Sequence, residues 1–206
     1  MDFLPLQLYN RRMNNLFIEG PIQTGKSTLI RKVLRESFGP SLEGVAGFTS
    51  QRLTDADGQL LGFRLAPADA ALTVVCDPAA TDNVFKSFTA DGTRVDMSVF
   101  ETAGIRYMDE ALSAAKAGQT QVILLDEIGG HELASDAFRR KLYQLLDSEY
   151  PCVGVIKSPA NTKRMDDSLL ALNDELHQHL TVTSDFAEAF RHFRISGSTS
   201  FDTKKE

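Results

Sequence analysis

An eight-residue stretch constrains this chain more than any other feature. Gly20-Pro-Ile-Gln-Thr-Gly25-Lys26-Ser27 fits the pattern G-x-x-x-x-G-K-[ST], which a random chain of this length matches about once in a hundred. The apolar run Leu16–Ile18 precedes the motif, and apolar residues recur at helical spacing after it. The sequence therefore predicts a strand, a tight turn and a helix from about Gly25 to Ser37.

Each fixed position of this motif has a chemical reason. Glycines let backbone N–H groups curl around phosphate oxygens, and the positive end of the helix dipole points to the same place. Lys26 is predicted to reach the outer phosphates, and the Ser27 hydroxyl is predicted to bind Mg²⁺, which prefers oxygen ligands. A turn with a surface lysine is the weaker interpretation. The predicted nucleotide-binding residues are Gly20, Pro21, Ile22, Gln23, Thr24, Gly25, Lys26, Ser27 and Thr28.

A second segment, Ile123-Leu-Leu-Asp126-Glu127, carries a strongly apolar strand to two acids. Such a strand is typical of the centre of a parallel sheet, and the C-terminal ends of parallel strands meet at one edge. We therefore expect Asp126 to lie near the motif and to hold Mg²⁺ through a water molecule. Glu127 is the predicted catalytic base, acting on an attacking water beside the catalytic Lys26. Either acid could instead cap a turn.

The rest of the chain alternates strand and helix patterns. A hairpin is predicted between Val45–Leu53 and Leu60–Leu65, because Asp55–Gly58 has the composition of a tight turn. Ser98 and Glu101 have the spacing of a capping box, which predicts a helix start. Residues 79–94 are polar and give no periodic signal. Further strands are predicted at Leu72–Cys76, Cys152–Ile156 and Leu180–Val182, and further helices around Phe138–Leu145, Leu169–Leu176 and Phe186–Phe193.

Composition limits the class of protein. The chain has 206 residues with 22 basic and 28 acidic side chains, so its net charge is −6. That balance argues against a nucleic-acid binder, and no apolar run approaches the roughly 18 residues that cross a bilayer. Cys76 and Cys152 lie far apart, which favours a reducing cytoplasm over a disulfide framework. We expect one α/β domain over 13–195, an extension or mis-assigned start at 1–12, and a disordered tail at 196–206.

Four blocks carry a resemblance to a known family: FIEGPIQTGKSTLIRKV, the pair AGFTSQRL and GQLLGFRL, the segment VFETAGIRYMDEAL, and VILLDEIGGHEL followed by FRRKLYQLL. The chain resembles the nucleoside-triphosphatases first described in thermophiles, a family with a vertebrate cancer-related member. The resemblance implies a three-layer P-loop NTPase fold, with a mainly parallel sheet flanked by helices and a β-hairpin insertion near 45–65. It also implies Mg²⁺-dependent hydrolysis of ATP, GTP and other nucleoside triphosphates to diphosphate and phosphate.

Other functions share this architecture. A nucleotide or small-molecule kinase would need an acceptor, and a non-enzymatic switch would bind the triphosphate and wait for a protein partner, which the sequence does not identify. Lys157, Lys163 and Arg164 could stabilise developing charge on a phosphate. The sequence favours a solvated basic loop for these three residues.

Overall fold

The computed structural model describes residues 14–158, 161 and 165–197. Its strands form one sheet, and its longer helices cover both faces. The strands are β1 (Asn15–Ile18), β2 (Val45–Thr54), β3 (Leu60–Pro67), β4 (Thr73–Val75), β5 (Val84–Thr89), β6 (Gly92–Val95), β7 (Val122–Ile128), β8 (Cys152–Ile156) and β9 (Thr181–Thr183). The helices are α1 (Lys26–Phe38), α2 (Ile105–Lys116), α3 (Asp136–Leu146), α4 (Asp167–His177) and α5 (Phe186–Gly197).

The sheet has a parallel half and an antiparallel half. Its order is β6-β5-β3-β2-β7-β8-β1-β9, and β4 pairs with the second half of β2. The pairs from β2 through β7, β8 and β1 to β9 are parallel. The pairs joining β2, β3, β5 and β6 are antiparallel. β2 therefore belongs to both halves, and its N-terminal part lies beside β7.

The alternation of side chains along β7 explains the three layers. Ile123 and Leu125 pack into an apolar cluster with α2, α3 and α4. Val122 and Leu124 point to the opposite face, into a cluster with α1 and α5. All four side chains are at most 4 % exposed, as the apolar sequence of this strand predicts. None of the helices among the described residues is long and apolar enough to cross a membrane.

The structure corrects three expectations from the sequence. Residues 79–94, which gave no signal, contain most of the β5–β6 hairpin at the edge of the sheet. The predicted capping box at Ser98 is wrong: Asp96 accepts hydrogen bonds from the Ser98 backbone and hydroxyl, and Glu101 accepts one from Ser135. The predicted tail begins at 196, whereas α5 extends to Gly197. Residues 1–13 and 198–206 lie outside the described residues.

A π-helical turn, Phe100–Gly104, leads into α2 and has a packing reason. Gly104 has helical backbone angles, so its lack of a side chain is not needed for the turn itself. A Cβ atom at Gly104 would lie 2.9 Å from Cε2 of Phe138, a fully buried ring on α3. The glycine therefore allows α2 and α3 to approach closely.

Gly104→Ala should lower the free energy of unfolding by about 1–3 kcal/mol, because the added methyl group overpacks a rigid site. In an unconstrained helix the same change stabilises by about 1 kcal/mol, so the sign is diagnostic. Urea unfolding monitored by circular dichroism measures the difference. The same substitution made in a Phe138→Leu background should cost less, and an increase in stability from Gly104→Ala alone would contradict this packing account.

Candidate functional site

The Gly20–Thr28 segment joins β1 to the first turn of α1, as the motif predicts. Gly25 immediately precedes the helix with a left-handed φ of 80°, which a glycine adopts without strain. The Lys26 ammonium folds back over the loop and donates hydrogen bonds to the carbonyl oxygens of Gly20, at 3.0 Å, and of Pro21. Asn161 donates to the same Gly20 carbonyl at 2.9 Å. The loop is therefore closed by its own lysine and by a residue that follows β8.

Asp126 lies in β7, close to its C-terminal end, and is only 3 % exposed. Its carboxylate accepts a hydrogen bond from Ser27 Oγ at 2.9 Å and another from Thr49 Oγ1 at 2.7 Å. Burial raises the pKa of Asp126 from 3.8 to about 6; the hydrogen bond from Thr49 opposes this shift and the negative charge of Glu127 adds to it. The structure thus brings Ser27 and Asp126 together from 99 positions apart in the chain.

Glu127, the next residue, has the opposite environment. Its φ is +71°, a left-handed conformation that is uncommon for a residue with a side chain. The pairing of β7 with β8 shifts register there, with Asp126 opposite Val155 and Ile128 opposite Ile156. This bulge leaves Glu127 exposed beside two buried neighbours. Strained residues of this kind concentrate at functional sites, which makes Glu127 a candidate for chemistry.

A cavity of about 280 Å³ lies between the loop and the C-terminal edge of the sheet. Its walls include Ile22–Thr28 of the loop and, from the sheet edge, Glu127 and Lys157. On the hairpin side the walls are Ser50, Arg52, Leu60, Phe63, Leu72 and Thr73. The cavity therefore places a loop of phosphate-binding type opposite the exposed carboxylate of Glu127.

Lys157 is part of this cavity and is not a solvated loop residue, so that expectation is wrong. Its side chain is 28 % exposed, and its ammonium lies 3.9 Å from a carboxylate oxygen of the buried Glu132. The other Glu132 oxygen accepts a hydrogen bond from the Gly130 backbone at 2.6 Å. A Cβ atom at Gly130 would lie 2.0 Å from the ammonium nitrogen, so this glycine makes room for it. Lys163 and Arg164 lie outside the described residues.

Several polar residues of the site were not predicted from the sequence. Thr49 follows the part of β2 that runs parallel to β7, so its position at the same sheet edge could have been inferred once that pairing was known. The Ser50 hydroxyl is buried at the cavity wall, and no hydrogen-bond partner for it is found among the described residues. Asn161 carried no sequence signal, because its contact is long-range. Glu132 lies within a block that carries the family resemblance, but its contacts with Gly130 and Lys157 were not predicted.

Comparison with known proteins identifies the family. A family model described as NTPase matches residues 15–185. This chain belongs to the NTPase family. Nucleoside-triphosphatase THEP1 from Thermotoga sp. (strain RQ2) is 28 % identical over 146 residues, which cover 71 % of this chain and 75 % of that protein. The THEP1 protein from Aquifex aeolicus (strain VF5) is 28 % identical over 143 residues, covering 68 % and 74 % respectively.

Two solved structures of other proteins share the fold of this chain. The solution structure of a human cancer-related nucleoside triphosphatase aligns with a TM-score of 0.60 at 21 % identity, over 92 % of this chain and 100 % of the other. The crystal structure of THEP1 from Aquifex aeolicus aligns with a TM-score of 0.51 at 22 % identity, over 77 % and 82 %. These matches confirm the α/β fold that the resemblance implied.

Asp126→Asn should make the metal-free protein more stable at pH 7.5, by up to about 3 kcal/mol. Because the pKa of Asp126 is raised, the native state binds its proton more tightly than the unfolded chain does. The contribution of Asp126 to the free energy of unfolding is therefore greatest below its ordinary pKa of 3.8, and it is lost as the pH rises through about 6. Asparagine keeps the shape of the side chain without the charge: its oxygen can accept from one of the two hydroxyl groups, and its amide nitrogen can donate to the other.

Urea unfolding in a chelating buffer at pH 5 and pH 7.5 measures this effect. The advantage of Asp126→Asn over the unsubstituted chain should be smaller at pH 5, where the native carboxyl is largely protonated. If Asp126→Asn is less stable than the unsubstituted chain at pH 7.5, the groups around Asp126 stabilise its negative charge more than its raised pKa indicates.

Proposed function

We propose that this chain is a Mg²⁺-dependent nucleoside-triphosphatase that hydrolyses ATP, GTP and other nucleoside triphosphates to diphosphate and phosphate. One observation carries the proposal: the Ile22–Thr28 part of the loop and the exposed Glu127 line the same cavity. Asp126 is hydrogen-bonded to Ser27 of that loop. The names of the THEP1 relatives support the same activity. Free thiols at Cys76 and Cys152 accord with a cytoplasmic location.

The oxygen donors of the site fit Mg²⁺. Ser27 Oγ and the Asp126 carboxylate lie 2.9 Å apart, and burial still raises the pKa of this carboxyl to about 6, although the charge of Arg31 opposes the shift. Among the described residues, no three His, Cys, Asp or Glu side chains form a metal cage. Mg²⁺ commonly takes most of its ligands from phosphates and water, with one or two from the protein. Ser27 would bind the ion directly and Asp126 through water, and the bound ion would neutralise charge on the phosphates.

Glu127 is proposed to act as the general base. A water oxygen forms a bond to the outer phosphorus while the bond from this phosphorus to the bridging oxygen breaks. The diphosphate leaves with the bridging electron pair, and Glu127 accepts the proton of the water. Its exposed carboxylate suits this role better than the buried Asp126, whose oxygens already accept two hydrogen bonds.

Two lysines are proposed to balance the phosphate charge. Hydrogen bonds to the carbonyl oxygens of Gly20 and Pro21 hold the Lys26 ammonium over the loop. When a nucleotide binds, the ammonium would donate to phosphate oxygens instead. Lys157 lines the cavity with its ammonium near the buried Glu132, which limits where it can move. A cation held in this way stabilises the charge that develops on the transferring phosphoryl group. Glu132 is a positioning residue in this scheme.

Lys26→Ala and Glu127→Gln should each reduce acceptor-free phosphate release from ATP, GTP, CTP and UTP by at least about a hundredfold. The first change removes the phosphate-binding ammonium, and the second removes the base while keeping the size of the side chain. Arg140→Ala, which alters an exposed arginine of α3, is the matched control and should retain turnover.

The same assay separates the alternative functions. A kinase would release little phosphate until an acceptor is added, and a binding switch would hold the nucleotide with negligible turnover until its partner arrives. Turnover that is unchanged in both variants, or absent from the unsubstituted chain, would contradict the proposed hydrolysis.

Lys157→Ala should lower kcat at least about tenfold with little change in KM, because the cation acts on charge that develops in the transition state. Lys157→Arg should restore part of kcat. Glu132→Gln should lower kcat less than Lys157→Ala, because it frees the ammonium without removing it. Steady-state kinetics of phosphate release measures all three variants, and an increase in KM at constant kcat would show that Lys157 contributes to binding only.

A further inference from the structure

A second concave surface lies next to the phosphate cavity. It is a groove of about 430 Å³ between the outer face of α1 and the chain that enters β4. Arg31 and Arg35 of α1 form one wall, with Pro40 and Leu72 around them. The mechanism proposed above uses none of these four side chains. The groove is open to solvent, so a ligand could enter it without a change in the fold.

The groove is continuous with the cavity that holds the loop. Thr28 and Leu72 line both of them, so the two spaces share a boundary. Thr28 is also the last residue of the segment predicted to bind phosphates. A nucleotide whose phosphates fill the cavity must carry its ribose and base out of it, and the groove opens from the cavity wall at these two residues.

The chemistry of the groove is apolar with a cationic rim. Its accessible walls are almost entirely hydrocarbon, from Leu72, Pro40 and the stems of the long α1 side chains. Arg35 is exposed, and Lys32 nearby forms a loose pair with Glu36 at 3.9 Å. Apolar walls of this kind suit a planar ring, on which an arginine can also stack through its guanidinium group.

Arg31 forms the buried part of the groove wall. The residue is only 4 % exposed, and burial lowers the pKa of its guanidinium, whereas the negative charges of Asp126 and Asp69 oppose this shift. All three nitrogens of its guanidinium are buried, and no hydrogen-bond acceptor for them is found among the described residues. Arg31 therefore places a positive charge behind the wall without offering its donors to a ligand in the groove.

We propose that this groove binds the nucleoside part of the substrate, with the base against Leu72 and Arg35. The inference rests on the proposed function, because the phosphates must occupy the adjacent cavity. The charged side chains that line the groove are the cations Arg31, Lys32 and Arg35 and the carboxylate Glu36. Apolar walls and the guanidinium face of Arg35 can contact the ring of any base, so the groove should accept all four with similar affinity.

The test compares ligands with and without a nucleoside that are not hydrolysed at the outer phosphate. Isothermal titration of ADP and of pyrophosphate, each with Mg²⁺, gives the Kd for the full-length chain and for Arg35→Ala and Leu72→Ala. The Kd for ADP should rise about tenfold in each variant, the range expected for a lost stacking contact. The Kd for pyrophosphate should stay within about twofold, a difference below 0.5 kcal/mol.

Several results would overturn the proposal. Equal weakening of ADP and pyrophosphate would show a general effect on the loop, and unchanged ADP binding in both variants would show that the base lies elsewhere. The matched control Arg140→Ala should leave both Kd values unchanged; weaker ADP binding there would remove the specificity of the effect. If the unsubstituted chain binds neither ligand, the proposed function fails as well, whereas ADP binding that ignores the groove overturns this inference alone.

Discussion

The buried carboxylate of Asp126 connects three separate parts of the chain. Ser27 donates to it from the start of α1, and Thr49 donates to it from β2. A carboxylate removed from water is unfavourable unless hydrogen bonds or a cation compensate for it. Two hydroxyl donors and the charge of Arg31 give only part of that compensation, since burial still raises the pKa of Asp126 to about 6. The loop and the sheet edge are thus joined at a point where a divalent cation would complete the balance of charge.

The contrast between Asp126 and Glu127 arises from a single bulge. Without it, the alternation of a strand would direct Glu127 away from Asp126 and into the layer of helices. The left-handed backbone at Glu127 leaves its carboxylate exposed on the cavity, while Ile128 returns to the core. Two adjacent acids therefore differ in burial, which suits one to holding a cation and the other to exchanging a proton with water.

Much of the fold was predictable from local patterns. The strand, loop and helix around Lys26 and the apolar strand that ends at Asp126 each carry their own signal, and parallel topology brings them together. The β5–β6 hairpin was missed because the half-buried β5 and the exposed β6 lack a clear alternation of apolar and polar residues, although Asp91-Gly92 is a turn-forming pair that could have revealed it. The contact of Lys157 with Glu132 and the burial of Arg31 follow from packing between distant segments, which one sequence does not contain.

Ser27 and Asp126 are proposed to hold together the cation that accompanies the phosphates. Isothermal titration of ADP with and without Mg²⁺ at pH 7.5 can decide this, in the unsubstituted chain and in Ser27→Ala and Asp126→Asn. Mg²⁺ should strengthen ADP binding in the unsubstituted chain, and most of this gain should disappear in both variants. An equal gain from Mg²⁺ in all three proteins would show that these two side chains do not hold the cation.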